Sequence, residues 1–248
     1  MDRRVLSDAA VVAASRDLVC ARLATYEDAE EGRFLASICR TRSGQLENTV
    51  FAVLAPDGTT ALAPAGRGPE HVFPGPPDQT GRTVAEALKG FAGRYPAKPG
   101  PRELPYLADL RRGLNVAACD LLPLAVVVAR TPEARKRIET ALAPLAWSAD
   151  YVGRLEYAPA EEPRAIDGAT VREGLVVVEP DAYGLRGKVL AETASASEAD
   201  LRKALDAALK AFVPKAKDSR AHIREGERAG VRWETVIPVT DPGGPPRR

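Results

Sequence analysis

Residues Asn48–Leu62 read NTVFAVLAPDGTTAL. Val50, Phe51, Val53 and Leu54 form an apolar run, Pro56-Asp57-Gly58 closes it, and a second apolar segment, Thr60–Ala65, follows. This is a β-hairpin signal with a mechanism. Proline pre-sets φ, Asp57 can bond its own backbone, and Gly58 takes φ > 0 without penalty. The pattern returns in Gly174–Ala191, GLVVVEPDAYGLRGKVLA: Leu175–Val178 is the buried run, Pro180-Asp181 opens the turn, and Val189–Ala191 begins the return strand. An amphipathic helix is expected after each, at Thr83–Tyr95 and Ser197–Phe212. The spacing predicts two versions of one α/β unit, with Asp57 and Asp181 at equivalent turn positions.

Composition narrows the function classes. At 248 residues the chain can bury two modest cores. Its formal net charge of +1 supplies no bulk field for nucleic acid or acidic membrane. Neither a nucleic-acid nor a membrane partner is expected; a protein or peptide partner belongs to a binding role. No run approaches the roughly 18 apolar residues of a membrane-spanning helix. The opening MDRRVLSDAA lacks the apolar core of a secretory leader, which predicts a cytoplasmic protein. Cys20, Cys39 and Cys119 have neither CxxC spacing nor an even count, so no disulfide framework or zinc signature is expected.

Taken in order, Ser7–Arg16 predicts a short helix capped by Ser7, its apolar side on Val11, Val12 and Ala14. Leu18–Ala24 alternates loosely and predicts a strand. Glu27–Arg40 predicts a helix with acids in its first turn and Phe34, Leu35 and Ile38 on its apolar face. The first hairpin, a Pro/Gly-rich loop and the helix Thr83–Tyr95 complete a first domain, 1–95. Pro96–Pro105 holds four prolines in ten residues and reads as a linker. The second domain, 106–213, begins with a helix over Tyr106–Cys119. Leu121–Ala129, LLPLAVVVA, then suits a central strand buried on both faces. Thr131-Pro132-Glu133 is a helix start, running towards Trp147, with Pro144 expected to bend or end it early. Val152–Ala158 predicts a strand and Glu161–Gly168 a polar loop, before the second hairpin and last helix. Residues 214–248 form a charged extension with one strand-like piece, Val231–Val239.

This order resembles the thioredoxin-like superfamily, in which parallel βαβ is followed by a β-hairpin and a packing helix. VLSDAAVVAASRDLVCARLATYEDAEEGRFL also resembles the segment that follows the active-site cysteines in bacterial thioredoxin-like proteins. The resemblance implies an α/β fold of two tandem thioredoxin-like units, each a central mixed sheet flanked by helices. The first would be entered late, without its first strand. The family's CxxC falls where the central strand meets its helix, because the helix N-terminus lowers the thiol pKa. That junction here reads Arg130-Thr131-Pro132-Glu133. The family's cis-proline positions are taken by Glu47-Asn48-Thr49 and Arg172-Glu173-Gly174. Both halves thus lack the dithiol and the residue that presents substrate to it.

The remaining candidates are few. Cys20, in a predicted strand, and Cys119, after Ala117-Ala118, read as buried apolar residues. Cys39 lies at a helix C-terminus, which disfavours thiolate, while Arg40 and Arg42 favour it; it is the candidate reactive thiol, ahead of Cys20 and Cys119. His71 and His222 lack ligand-spaced partners and read as solvent-facing loop histidines, so no metal is expected. Gly66-Arg67-Gly68 matches no phosphate-loop pattern, and no cofactor is expected. The acids Glu27, Asp28, Glu30 and Glu31 read as a helix's first turn, and the basic stretch Lys210–Arg228 as a solvated face.

The expectation is a redox-inactive tandem thioredoxin-like protein that binds or scaffolds. Its alternatives are a single-cysteine thiol protein acting through Cys39, and a truncated oxidoreductase whose CxxC lies upstream of Met1. A further possibility is peptide binding along a sheet edge left by the missing strand. Val231–Ile237 is expected to dock on a sheet as an added strand.

Overall fold

The computed structural model describes residues 5–21, 23, 28–38, 50–68, 72–73, 81–96, 102–215 and 217–231. It is a mixed α/β structure with seven helices and a five-stranded mixed sheet among those residues. The chain divides into two compact units, one from Met1–Pro99 and Trp233–Arg248, the other from Gly100–Arg232.

In the first unit, α1 (Ala9–Ser15) starts at Asp8, whose carboxylate accepts from the Ala10 amide at 2.8 Å. Asp8, rather than Ser7, is the cap. Val11 and Ala14 turn inward, whereas Val12 is 43% exposed. They meet Val84, Ala85 and Leu88 of α3 (Gly81–Arg94), with Val72 and Phe73 completing a small core. The predicted strand at Leu18–Ala24 is not found at its described residues: the chain turns there, the Leu18 amide bonding Ser15 carbonyl, and Val19 is 92% exposed. Loose alternation has no partner strand to make it a ladder. α2 (Ala29–Ile38) is capped by Asp28, which accepts from the Glu30 and Glu31 amides. The predicted hairpin is a short antiparallel excursion with bridges Phe51–Gly66 and Leu54–Ala61. Its turn is built as expected. Asp57 accepts from the Thr59 and Thr60 amides and the Thr60 hydroxyl, and Gly58 has φ 72°.

The second unit is built on the apolar run. β1 (Leu124–Val128) is wholly buried, parallel to β2 (Glu156–Ala160) and antiparallel to β4 (Gly174–Pro180). β5 (Gly187–Thr193) pairs antiparallel with β4, and the two-residue β3 (Ile166–Asp167) pairs parallel with β5. The order is β2-β1-β4-β5-β3. Alternation sorts side chains into two layers. Ala125, Val127, Leu175 and Val177 face α5 (Pro132–Ala146) and α6 (Glu198–Ala211). Leu124, Val126, Val128, Val176 and Val178 face α4 (Leu110–Asp120) and the 161–173 loop. Each such valine or leucine contributes roughly 1.5–3 kcal/mol of burial. A bulge between Val177 and Val178 breaks the β5 alternation, so the adjacent Leu190 and Ala191 pack on the same layer. Gly113 lets α4 approach closely: a Cβ there would lie 2.7 Å from that of Ala158.

Several boundaries differ from expectation. α4 begins at Leu110, capped by Asp109; Tyr106 instead bridges to Tyr157 on the β2 edge. Residues 151–154 form a turn, so β2 starts at Glu156 rather than Val152. Pro144 does not end α5, which continues to Ala146. So close to the C-terminus, the proline forfeits a single helical hydrogen bond. The polar loop holds β3, and the charged extension holds a helix, α7 (Ser219–Arg228). Of Val231–Ile237, all but Val231 lies outside the described residues.

Candidate functional site

The position where a doubly wound βαβ unit brings chemistry together is the C-terminal end of its central strand. Here β1 runs into Thr131, whose hydroxyl accepts from the Ala134 amide at 3.2 Å, with Pro132 in the first turn of α5. This is the capped start the sequence predicts, and it commits the Thr131 hydroxyl to the helix. The chain from Glu161 to Glu173 carries the two-residue β3 and is otherwise held by polar ties. Arg130 Nη2 meets Glu162 Oε1 at 2.8 Å, and Arg164 Nε meets Glu162 Oε2 at 2.6 Å. Arg137 of α5 pairs with Glu173, the residue before β4. Asp167 pairs with Arg186, and Glu192 accepts from the Thr170 hydroxyl and the Thr170 and Val171 amides.

These contacts fix the charge states. Arg164, then Arg130, holds the Glu162 carboxyl below the usual carboxylate range. Hydrogen bonding to Arg186 does the same for Asp167. Burial would raise Glu192, but the Thr170 hydroxyl and the two amides outweigh it and lower it. Along the first turns of α5 a shallow hollow of about 610 Å³ is lined by Pro132, Glu133, Lys136, Arg137 and Thr140. The carboxylates tied to the loop are anions held by cations or amides, a state suited to fixing a surface rather than exchanging protons at neutral pH. The buried phenols do not help. Burial pushes Tyr157 and Tyr106 well above the ordinary tyrosine range, with Glu156 and Glu139 adding to it.

The structure does not gather the sequence-predicted candidates. Cys20 is exposed in the turn after α1, its thiol 3.7 Å from the Ser15 carbonyl, rather than buried in a strand. Cys119 is exposed as well, not core, because the helical repeat that buries Ala117 and Ala118 turns the next residue outward. Cys39 and His71 lie outside the described residues, as do Glu27 and Glu47-Asn48-Thr49. His222 is on α7, half-buried and stacked on Tyr183 with ring centroids 4.5 Å apart, not in a solvent-facing loop. Asp28, Glu30 and Glu31 form the cap and first turn of α2. Gly66 pairs with Phe51 at the open end of the first hairpin. Among the described residues no group of three or more His, Cys, Asp or Glu could hold a metal ion. No described helix is long and apolar enough to cross a membrane. Arg130 and Glu173 fall at positions the sequence marks as family replacements, whereas Glu162, Arg137 and Glu192 carry no local spacing signal because their pairings span loops.

Comparison with family models, with curated proteins and with solved structures finds no match to this chain.

Proposed function

We propose that the chain is a redox-inactive, thioredoxin-like binding or scaffolding protein whose second unit keeps the superfamily's architecture without its chemistry. Support for the architecture comes from the strand order, with β1 between a parallel and an antiparallel neighbour, followed by a hairpin and a packing helix. The Tyr106 bridge adds a parallel edge contact outside β2. For the first unit the likeness rests on the order helix, helix, hairpin, helix, and the tandem reading extends to it on that order.

The observation that carries the functional reading is the Arg137–Glu173 ion pair. It ties α5, a turn beyond the junction where the superfamily sets its dithiol, to Glu173, in the stretch that takes the place of its cis-proline. A redox site needs a thiolate stabilised at the helix N-terminus; here Thr131 caps that terminus and charged side chains occupy the approach. A solvated, charged surface with a shallow hollow is suited to contact rather than turnover. The test is dithiol-dependent insulin reduction. The wild-type chain is expected to match a variant carrying Cys20→Ser, Cys39→Ser and Cys119→Ser, and turnover above that control would overturn the reading.

A further inference from the structure

α7 is attached to the second unit in a way unlike every other helix there. None of its side chains joins either apolar layer of the sheet. Its largest apolar residue, Ile223, is 59% exposed, and Val213 in the connection before it is 64% exposed. The hold is local and polar. Lys217 Nζ donates to the Ala182 carbonyl at 2.7 Å and to the Ala118 carbonyl, near the C-terminus of α4, at 3.0 Å. Lys215 meets Glu179 at 3.1 Å. Tyr183, in the β4–β5 turn, supplies the only aromatic seat among the described residues. His222 stacks on it at an interplanar angle of 15°, and Gly226 lies so close that a Cβ would come within 3.0 Å of its ring.

Within itself, by contrast, α7 is well made. Asp218 accepts from the Ala221 amide at 2.7 Å, Arg228 lies in the last turn, and the Val231 amide returns to the Gly226 carbonyl. Ten residues are nevertheless marginal as an isolated helix in water. Elements with few buried apolar contacts open at a small fraction of the global unfolding free energy.

We propose that α7 is a detachable strap: a helix that docks on the Tyr183 turn and the C-terminal end of α4, and releases without unfolding the sheet. Release uncovers the Tyr183 ring, next to the 47%-exposed Leu185, and frees the Ala118 and Ala182 carbonyls. Lys217 is the main latch, because one ammonium bridges two separate elements. The Gly226–Tyr183 contact is the second, because a Cβ there already comes to 3.0 Å of the ring and a bulky side chain has no room beside it.

Hydrogen exchange of the full chain, read by mass spectrometry, tests this. Amides of 219–228 are expected to exchange roughly 100-fold faster than those of the inner turns of α6. Lys217→Gln and Gly226→Leu should each remove the remaining protection over 219–228, while exchange in β1, β4 and α6 and the main melting transition stay unchanged. Protection of α7 equal to that of α6, or a drop in the main transition with either variant, would show instead that α7 is an integral part of the fold.

Discussion

The Tyr151 hydroxyl donates to Asp206 Oδ1 at 2.6 Å, tying the turn after α5 to α6 across 55 residues. The ring is buried, and Arg202 lies over it at 5.8 Å while pairing with Asp150 and Glu198. Burial, then the Asp206 hydrogen bond and charge, pushes the phenol up to about 12. Tyr151→Phe keeps the ring and removes the bond, so it is expected to cost about 1.5–3 kcal/mol in urea unfolding. Because the folded-state value is raised, this contribution is whole below the ordinary tyrosine range. It is lost as pH rises from about 10 towards about 12. An unchanged midpoint in Tyr151→Phe would contradict the tie.

Tyr157 makes the opposite case. It is 2% exposed, and its hydroxyl has no hydrogen-bond partner among the described residues. Burying an unpaired hydroxyl costs about 1–3 kcal/mol. Tyr157→Phe is therefore expected to raise the melting temperature where Tyr151→Phe lowers it. A fall in both would refute the contrast.

Acid should loosen the 161–173 loop before the sheet. Glu162, Asp167 and Glu192 all titrate below their ordinary values in the folded state. Their contribution is present above the normal carboxylate range and lost as pH falls through the lowered values. Protection factors over 163–171 are expected to drop as pH falls below the ordinary carboxylate range, while those of β1 persist. Glu192→Gln should weaken protection near Thr170 already at neutral pH. Loop and sheet losing protection together would argue against local release.

Cys20 and Cys119 should both react with a water-soluble maleimide in the folded chain, since both are exposed. Mass spectrometry after a short pulse counts the labels. Protection of either thiol until denaturant is added would contradict its placement.

The second unit was the more legible half because its signals are local and mutually consistent. Five consecutive apolar residues in β1, the Thr131-Pro132 helix start and the Pro180-Asp181 turn each point to one structure. α7 escapes the reading because Ile223 is its only large apolar side chain, so its two-faced character comes from the placing of charges and not from an apolar stripe. β3 was missed because two residues cannot show alternation; the Asp167–Arg186 pair and the β5 register hold it. Cys20 was misplaced by alternation that resembled a strand, and Cys119 by reading its alanine neighbours without the 100° helical step. The ties Arg137–Glu173 and Arg130–Glu162 span 36 and 32 residues, beyond any motif.

The placement of the Arg130–Glu133 junction at the end of a central strand is tested most directly by long-range NOEs in the labelled full-length protein. β1 is expected to show cross-strand contacts on both sides: antiparallel between Val126 and Val176, and parallel between Val126 and Ala158. Contacts on one side only would place β1 at an edge. The Arg137–Glu173 pair would then no longer tie α5 to the start of β4 beside a central strand, and the proposed reading of that junction as a thioredoxin-like site emptied of its chemistry would fail.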